Sequence, residues 1–320
     1  VSALSRRELL AGLSASALLV ACASRRRDVV RIGFMTNVTH APVIAAIASG
    51  RLERALGIRV EARSFRSGPR VLEALVGDAI DVGSAGPSAV VYNNARHAPG
   101  TLRLLSGICS GGASFIVRRD AGIRGPDDLA GRTLATVGLG TTQDISLRKY
   151  LRAHGLAPAE NGGSVTVHAL DASTILSGVM RGSLDGAWLP EPWATRVVRD
   201  AGAVRLLDER DLWPERSFPT ALLVARGDWT RANAALAARL SSSLAPEVKR
   251  ASDAPAETRS AVGDELARLL GRRLPDDLLA EAWRWVDFTS DPLRTAFDVI
   301  ADDAFALGLA PRSSSATLLG

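Results

Sequence analysis

Gly77-Asp78-Ala79-Ile80-Asp81 returns in the second half of the chain as Arg181-Gly182-Ser183-Leu184-Asp185. Each copy ends an apolar helical stretch in a glycine-containing turn and leads into an apolar residue and an aspartate, so the chain repeats its own plan. Around the first copy, residues 29–34 read as a strand, 40–49 as a helix after the polar loop 36–39, 58–65 as a strand and 69–76 as a helix. A third strand at 80–83 and a helix from 87 to 95 follow. Around the second copy the order is strand 133–137, loop 138–142, helix 144–154, strand 164–170, helix 173–181 and strand 184–188. This alternation predicts an α/β protein with two doubly wound, mainly parallel lobes.

Two β-rich crossings, 113–118 and 220–226, lie between the lobes and read as paired hinge strands. The first lobe is then discontinuous, 29–113 and 221–320, and the second is 114–220 with the hinge strands. Helices predicted at 232–251, 255–270, 278–285 and 292–307, several starting at Pro or Asp, would cover the first lobe. Trp283-Arg284-Trp285 falls among them and reads as core packing.

The amino terminus has the parts of an export signal: Arg6-Arg7, the apolar run 9–21 and small residues leading to Cys22. That run is about 13 residues, against roughly 20 for a spanning helix, which predicts a cleaved signal over 1–21. Leu19-Val20-Ala21-Cys22 resembles a bacterial lipobox and predicts lipidation of Cys22 with a tether over 22–28. The expected product is a membrane-anchored lipoprotein of the periplasm or cell surface. Ser5-Arg6-Arg7-Glu8-Leu9-Leu10 resembles a twin-arginine export signal. Adjacent arginines also arise by chance here, because Lys149 and Lys249 are the only lysines.

A mature part of roughly 300 residues can bury a large core and by length forms about two domains. With Cys22 lipidated, Cys109 is the only thiol left, which excludes an internal disulfide. The net charge is +5, but no basic cluster is interleaved with aromatics, so no nucleic-acid partner is expected. There is no P-loop, no Gly-x-Ser-x-Gly elbow, no His-Glu-x-x-His and no metal-spaced Cys/His cluster. No catalytic residue, metal or cofactor is expected.

In an open parallel sheet, the loops leaving the carboxyl ends of the strands collect on one edge, where ligands bind. Asn37, Thr39 and His40 combine amide, hydroxyl and imidazole before a helix whose free N–H groups favour an anionic or strongly polar partner. Gly86-Pro87-Ser88 offers close backbone approach at Gly86 and a hydroxyl at Ser88 beside another helix start. Thr141, Thr142, Gln143 and Asp144 form the counterpart in the second lobe, although Thr142 or Asp144 would also serve as a simple cap. Gly111 and Gly112 precede the first crossing and would line the cleft and flex on closure. In Trp188-Leu189-Pro190-Glu191-Pro192-Trp193, two prolines stiffen a turn holding a carboxylate and an indole. Glu191 would accept from an ammonium, or else from backbone N–H groups, and Trp193 would contact the ligand.

At these residues the chain resembles the solute-binding proteins of nitrate, sulfonate and taurine ABC importers, which also resemble thiamine-precursor binders. The resemblance rests on Arg31-Ile32-Gly33-Phe34 with Asn37-Val38-Thr39-His40-Ala41, and on Leu72-Glu73-Ala74-Leu75 through Ile80-Asp81-Val82-Gly83. It extends over Gly125-Pro126-Asp127-Asp128-Leu129-Ala130-Gly131-Arg132 and Leu184-Asp185-Gly186-Ala187-Trp188 with Glu191-Pro192-Trp193. It implies a type II periplasmic-binding-protein fold, closure of two lobes on one small polar solute, and docking on an ABC permease with its ATPase. A small sulfonate, nitrate or taurine-like solute ranks first, and a thiamine precursor or other nitrogenous heterocycle second. Asp144 and Glu191 would repel a bare anion unless turned away or protonated. The rival class is a cytosolic biosynthetic enzyme of the same fold, against which the export signal argues.

Overall fold

The computed structural model describes residues 28–308 and Leu318. The expected signal over 1–21, Cys22 and the tether up to 27 lie outside the described residues.

The chain begins with β1 (Val29–Met35), α1 (Ala41–Ala48), α2 (Arg51–Leu56), β2 (Arg59–Phe65), α3 (Gly68–Val76), β3 (Val82–Ala85), α4 (Pro87–Arg96) and β4 (Leu102–Gly111). It crosses into β5 (Ala113–Val117), β6 (Thr133–Thr136), α5 (Thr142–Ala153), β7 (Thr166–Ala169), α6 (Ala172–Met180), β8 (Gly186–Pro190), α7 (Trp193–Asp200) and β9 (Val204–Asp208). It returns through β10 (Pro219–Arg226) into α8 (Gly227–Ala232), α9 (Ala234–Asp253), α10 (Pro255–Leu270), α11 (Asp276–Trp283), β11 (Val286–Phe288) and α12 (Arg294–Ala306).

The first sheet has the order β11-β4-β10-β3-β1-β2 and the second β7-β6-β8-β5-β9. In both, three parallel strands (β2-β1-β3 and β7-β6-β8) continue into antiparallel ones, β10 and β4 in the first sheet and β5 and β9 in the second. The sheets are therefore mixed rather than mainly parallel, because each lobe completes itself with strands at the crossings. The repeated motif has one physical role in both halves. Asp81 accepts from the Arg31 amide at 2.9 Å and Asp185 from the Thr133 amide at 2.9 Å, each pinning the start of the central parallel strand. The Asp81 amide donates back to Arg31 O and the Asp185 amide to Thr133 O.

The two crossings expected to pair with each other do not. β5 lies between β8 and β9 in the second sheet, whereas β10 pairs with β3 and β4 in the first. The reason is the glycine pair: Gly111 and Gly112 have φ of +68° and +73°, which ends β4 and swings the next residues into the other lobe. The joint is instead made by the end of β4 and the start of β10. Phe218 N donates to Ser110 Oγ at 3.0 Å, Gly111 N to Phe218 O at 3.0 Å, and the Thr220 hydroxyl to Gly111 O.

On one face of the first sheet, Ile32 and Phe34 share a buried core with Ile44 of α1 and Leu56 of α2, which α9 and α10 cover. On the other face, Val71, Leu72 and Leu75 join a core that runs through the joint to Phe115, Trp188 and Phe218 of the second lobe. Burying a side chain of this size contributes roughly 2 kcal/mol relative to leaving it exposed. β2, at the edge, stays largely exposed and carries Arg59, Glu61 and Arg63, as an edge strand should to discourage further pairing. Among the described residues, no helix is long and apolar enough to cross a membrane. Cys109 is a buried free thiol whose pKa burial pushes up.

Trp283 packs in the core, donating to Ala251 O at 3.1 Å. Trp285 does not belong there: it meets the second lobe, with the Arg205 guanidinium 3.7 Å from its ring centroid.

Candidate functional site

A cavity of about 110 Å³ lies between the lobes. Its wall gathers the starts of six helices: Thr39 just before α1, Ser67 and Gly68 at α3, Gly86 at α4, Thr141 and Thr142 at α5, Asp171 at α6 and Trp193 at α7. These turns follow the carboxyl ends of strands, so their first N–H groups and the positive ends of the helix dipoles face one space.

Of the residues expected at the ligand, Asn37, Thr39, Gly86, Thr141, Thr142, Gln143 and Trp193 line this cavity. The Thr142 hydroxyl is buried with no hydrogen-bond partner, whereas Thr141 caps α5 by accepting from the Asp144 amide at 3.3 Å. Thr39 donates to Asn37 Oδ1 at 2.6 Å. Trp193 lies under the Arg196 guanidinium, 4.6 Å from its ring centroid.

The others stand behind the wall. His40 is fully buried with Nδ1 against the Ser84 hydroxyl, and burial pushes its pKa down to about 3, so the ring is neutral. Ser88 is buried in the first turn of α4. Gly111 and Gly112 belong to the joint: a Cβ on Gly111 would lie 2.6 Å from Arg210 Cδ, and one on Gly112 2.8 Å from Val286 Cγ2.

Asp144 and Glu191 are both turned away from the cavity, each held by an arginine. Asp144 accepts from Arg148 Nε at 3.1 Å, Gly140 N at 3.0 Å and Thr136 Oγ1 at 3.2 Å. Glu191 is fully buried and accepts from Arg205 Nη2 at 2.7 Å and Thr195 N at 3.1 Å. Burial pushes the Glu191 carboxyl above its ordinary range, opposed by Arg205 and Thr195. Glu191 is thus engaged as a structural acceptor within the second lobe. Arg205 also donates to the Ser114 and Thr195 hydroxyls, tying β5, β9 and the 190–193 turn together.

The sequence reading missed Arg66, Ser67, Gly68, Asp171 and Thr220 in the wall. The signal for Ser67-Gly68-Pro69 was present, since it repeats the glycine, proline and hydroxyl grammar of Gly86-Pro87-Ser88 after a parallel strand. Among the described residues, no His, Cys, Asp and Glu cluster is arranged to hold a metal ion.

Two α/β lobes with helix starts converging on a shared cavity define the class, a two-lobed periplasmic-binding-protein fold. The alkanesulfonate-binding protein SsuA of Xanthomonas axonopodis pv. citri superposes with a TM-score of 0.76 at 20% identity, covering 93% of this chain and 99% of that one. The periplasmic nitrate-binding protein NrtA of Synechocystis PCC 6803 does so with a TM-score of 0.75 at 16% identity, covering 91% and 84%. The chain belongs to the NMT1-like family, whose model matches residues 24–266. A protein of Brucella abortus (strain 2308), whose name specifies binding and no ligand, is 27% identical over 219 residues, 68% of this chain and 66% of its own length. The taurine-binding periplasmic protein of Escherichia coli (strain K12) is 25% identical over 184 residues, 58% of this chain and 55% of its own. The match thus spans just under two thirds of the Brucella relative and little over half of the taurine-binding one.

Proposed function

We propose that this chain is the extracytoplasmic substrate-binding component of an ABC importer and captures a small oxyanion, a sulfonate, nitrate or taurine-like solute, by closure of its two lobes. One observation carries the reading: six helix starts surround a cavity whose wall is mostly neutral hydroxyls and amides, with the exposed Arg66 and Asp171 at its edge, while Asp144 and Glu191 are diverted onto Arg148 and Arg205. Helix N-termini favour negative charge, and two of the carboxylates near the space, Asp144 and Glu191, are turned out of it, which leaves the exposed Asp171 as the carboxylate in its wall. The ligands named for the relatives, alkanesulfonate, nitrate and taurine, support the same chemistry. The relatives named by activity are binding proteins, and we read this chain likewise as non-catalytic.

The lobes we assign are 29–113 with 221–320, and 114–220, moving about the joint at Ser110–Gly112 and Phe218–Thr220. A lipid on Cys22, with export of the folded chain by a twin-arginine route, would hold the protein beside its permease. A second reading, a thiamine precursor or other nitrogenous heterocycle, draws on Trp193, whose indole in the cavity wall could stack on a flat ring.

The test is a thermal-shift and calorimetric screen of ethanesulfonate, taurine, nitrate and thiamine precursors. A bound oxyanion at a hundredfold excess over Kd stabilises by about 2.7 kcal/mol. Stabilisation by a heterocycle alone, with none from any oxyanion, overturns the assignment in favour of the second reading.

A further inference from the structure

The cavity and its mouth differ in charge. Inside, the ligand meets neutral groups, among them the unpartnered Thr142 hydroxyl, on a residue only 4% exposed. At the mouth stand two opposite charges, one from each lobe: Arg66 just after β2 and Asp171 just after β7. Both residues also border a wider groove of about 900 Å³ that leads outward past Gly138 and Leu139. A ligand that extends from the compact inner space into this groove therefore runs beside both of them.

Their positions correspond, because β2 and β7 are the edge strands at matching places in the two sheets. Most charged side chains around them are engaged, as Arg70 is with Glu73 at 2.8 Å. Among the described residues, the Arg66 guanidinium and the Asp171 carboxylate make no ion pair or side-chain hydrogen bond, and Asp171 stands at the start of α6 without capping it. An unpaired cation and an unpaired anion flanking one mouth match a ligand end that carries both charges.

We infer, building on the oxyanion reading above, that the ligand is a sulfonate or similar oxyanion whose other end is an α-amino acid group, with the oxyanion toward the helix starts and the ammonium and carboxylate between Asp171 and Arg66. A simple alkyl oxyanion would leave both charged residues without a partner. A tail bearing only one charge would satisfy only one of them.

The experiment is calorimetric titration of the whole chain with four probes, ethanesulfonate, taurine, 3-sulfopropionate and cysteate, repeated with Asp171→Asn and Arg66→Gln. Each exposed pair adds up to about fivefold in affinity, so cysteate binds tightest and ethanesulfonate weakest. Asp171→Asn lowers the preference for cysteate over 3-sulfopropionate by about fivefold, and Arg66→Gln lowers the preference for cysteate over taurine by a similar factor. Equal binding of ethanesulfonate and cysteate overturns this inference and leaves the oxyanion reading intact. So does a uniform loss for all four probes in both variants, the behaviour of a latch between the lobes. Binding of none of the four overturns this inference, and failure of nitrate as well overturns the oxyanion reading.

Discussion

Gly86 and Thr142, at the starts of α4 and α5 in opposite lobes, approach so closely that a Cβ on Gly86 would lie 2.7 Å from the Thr142 hydroxyl oxygen. Gly86 has φ −70° and ψ 150°, an extended conformation any residue adopts, so the glycine serves the contact and not the backbone. Gly86→Ala is expected to fold normally and to keep the lobes apart, weakening ligand binding by tenfold or more, roughly the effect of about 1.4 kcal/mol. Removing the opposing hydroxyl in Gly86→Ala/Thr142→Ala should restore part of the closure. Small-angle scattering with and without ligand, beside calorimetry, checks both, and a single variant that closes and binds like the parent refutes the contact's role.

Glu191 and Trp193 share a turn yet should respond differently to truncation. Glu191→Ala leaves Arg205, whose side chain is only 11% exposed, without its carboxylate, at a cost of about 3 kcal/mol in folding stability. Trp193→Ala removes a wall of the cavity and should reduce affinity with a smaller effect on stability. Urea titration and ligand titration on the same two proteins separate the roles. Equal stability losses in both would place the indole in the structural frame with Glu191.

Two buried groups oppose each other in pH dependence. Burial pushes Glu209 up to about 7, with its carboxylate held by the Ser146 hydroxyl and by Trp188 Nε1 at 2.8 Å. A raised acid contributes stability present below its unfolded value and lost as pH rises, here between about 4.5 and about 7. His40, pushed down to about 3, contributes stability present above its ordinary 6.5 and lost as pH falls. Between pH 4.5 and 6.5 these slopes cancel, each being about 1.4 kcal/mol per pH unit. In Glu209→Gln the Glu209 slope that opposes His40 is removed, so stability should climb with pH across that window relative to the parent. Parallel pH profiles of the two proteins in denaturant titrations would rule this out.

Much of the architecture could be read before any coordinates. The helices from Ala234, Pro255 and Asp276 start where Asn, Pro or Asp punctuates the apolar pattern. The duplicated turn at Asp81 and Asp185 was legible as a motif because one hydrogen-bonding task, pinning an amide near the start of a neighbouring strand, demands the same residue twice. β4, with Leu102–Gly111 mixing Leu, Arg, Ser and Gly, has no clean period of its own and is a strand because β10 and β11 flank it. The same holds for β9 and β11, whose short patterns acquire meaning only beside a partner strand.

Residue types and their spacing along the chain dictated two α/β halves and put polar side chains at helix starts, since both follow from local backbone geometry. Which of those side chains face the shared space was decided by distant partners. Arg205 draws Glu191 inward from 14 positions away, and the Gly111-Gly112 turn sends neighbouring strands into different sheets. Ion pairing and strand exchange between remote segments minimise buried, unpaired charge and backbone, and that balance exists only once the chain has packed.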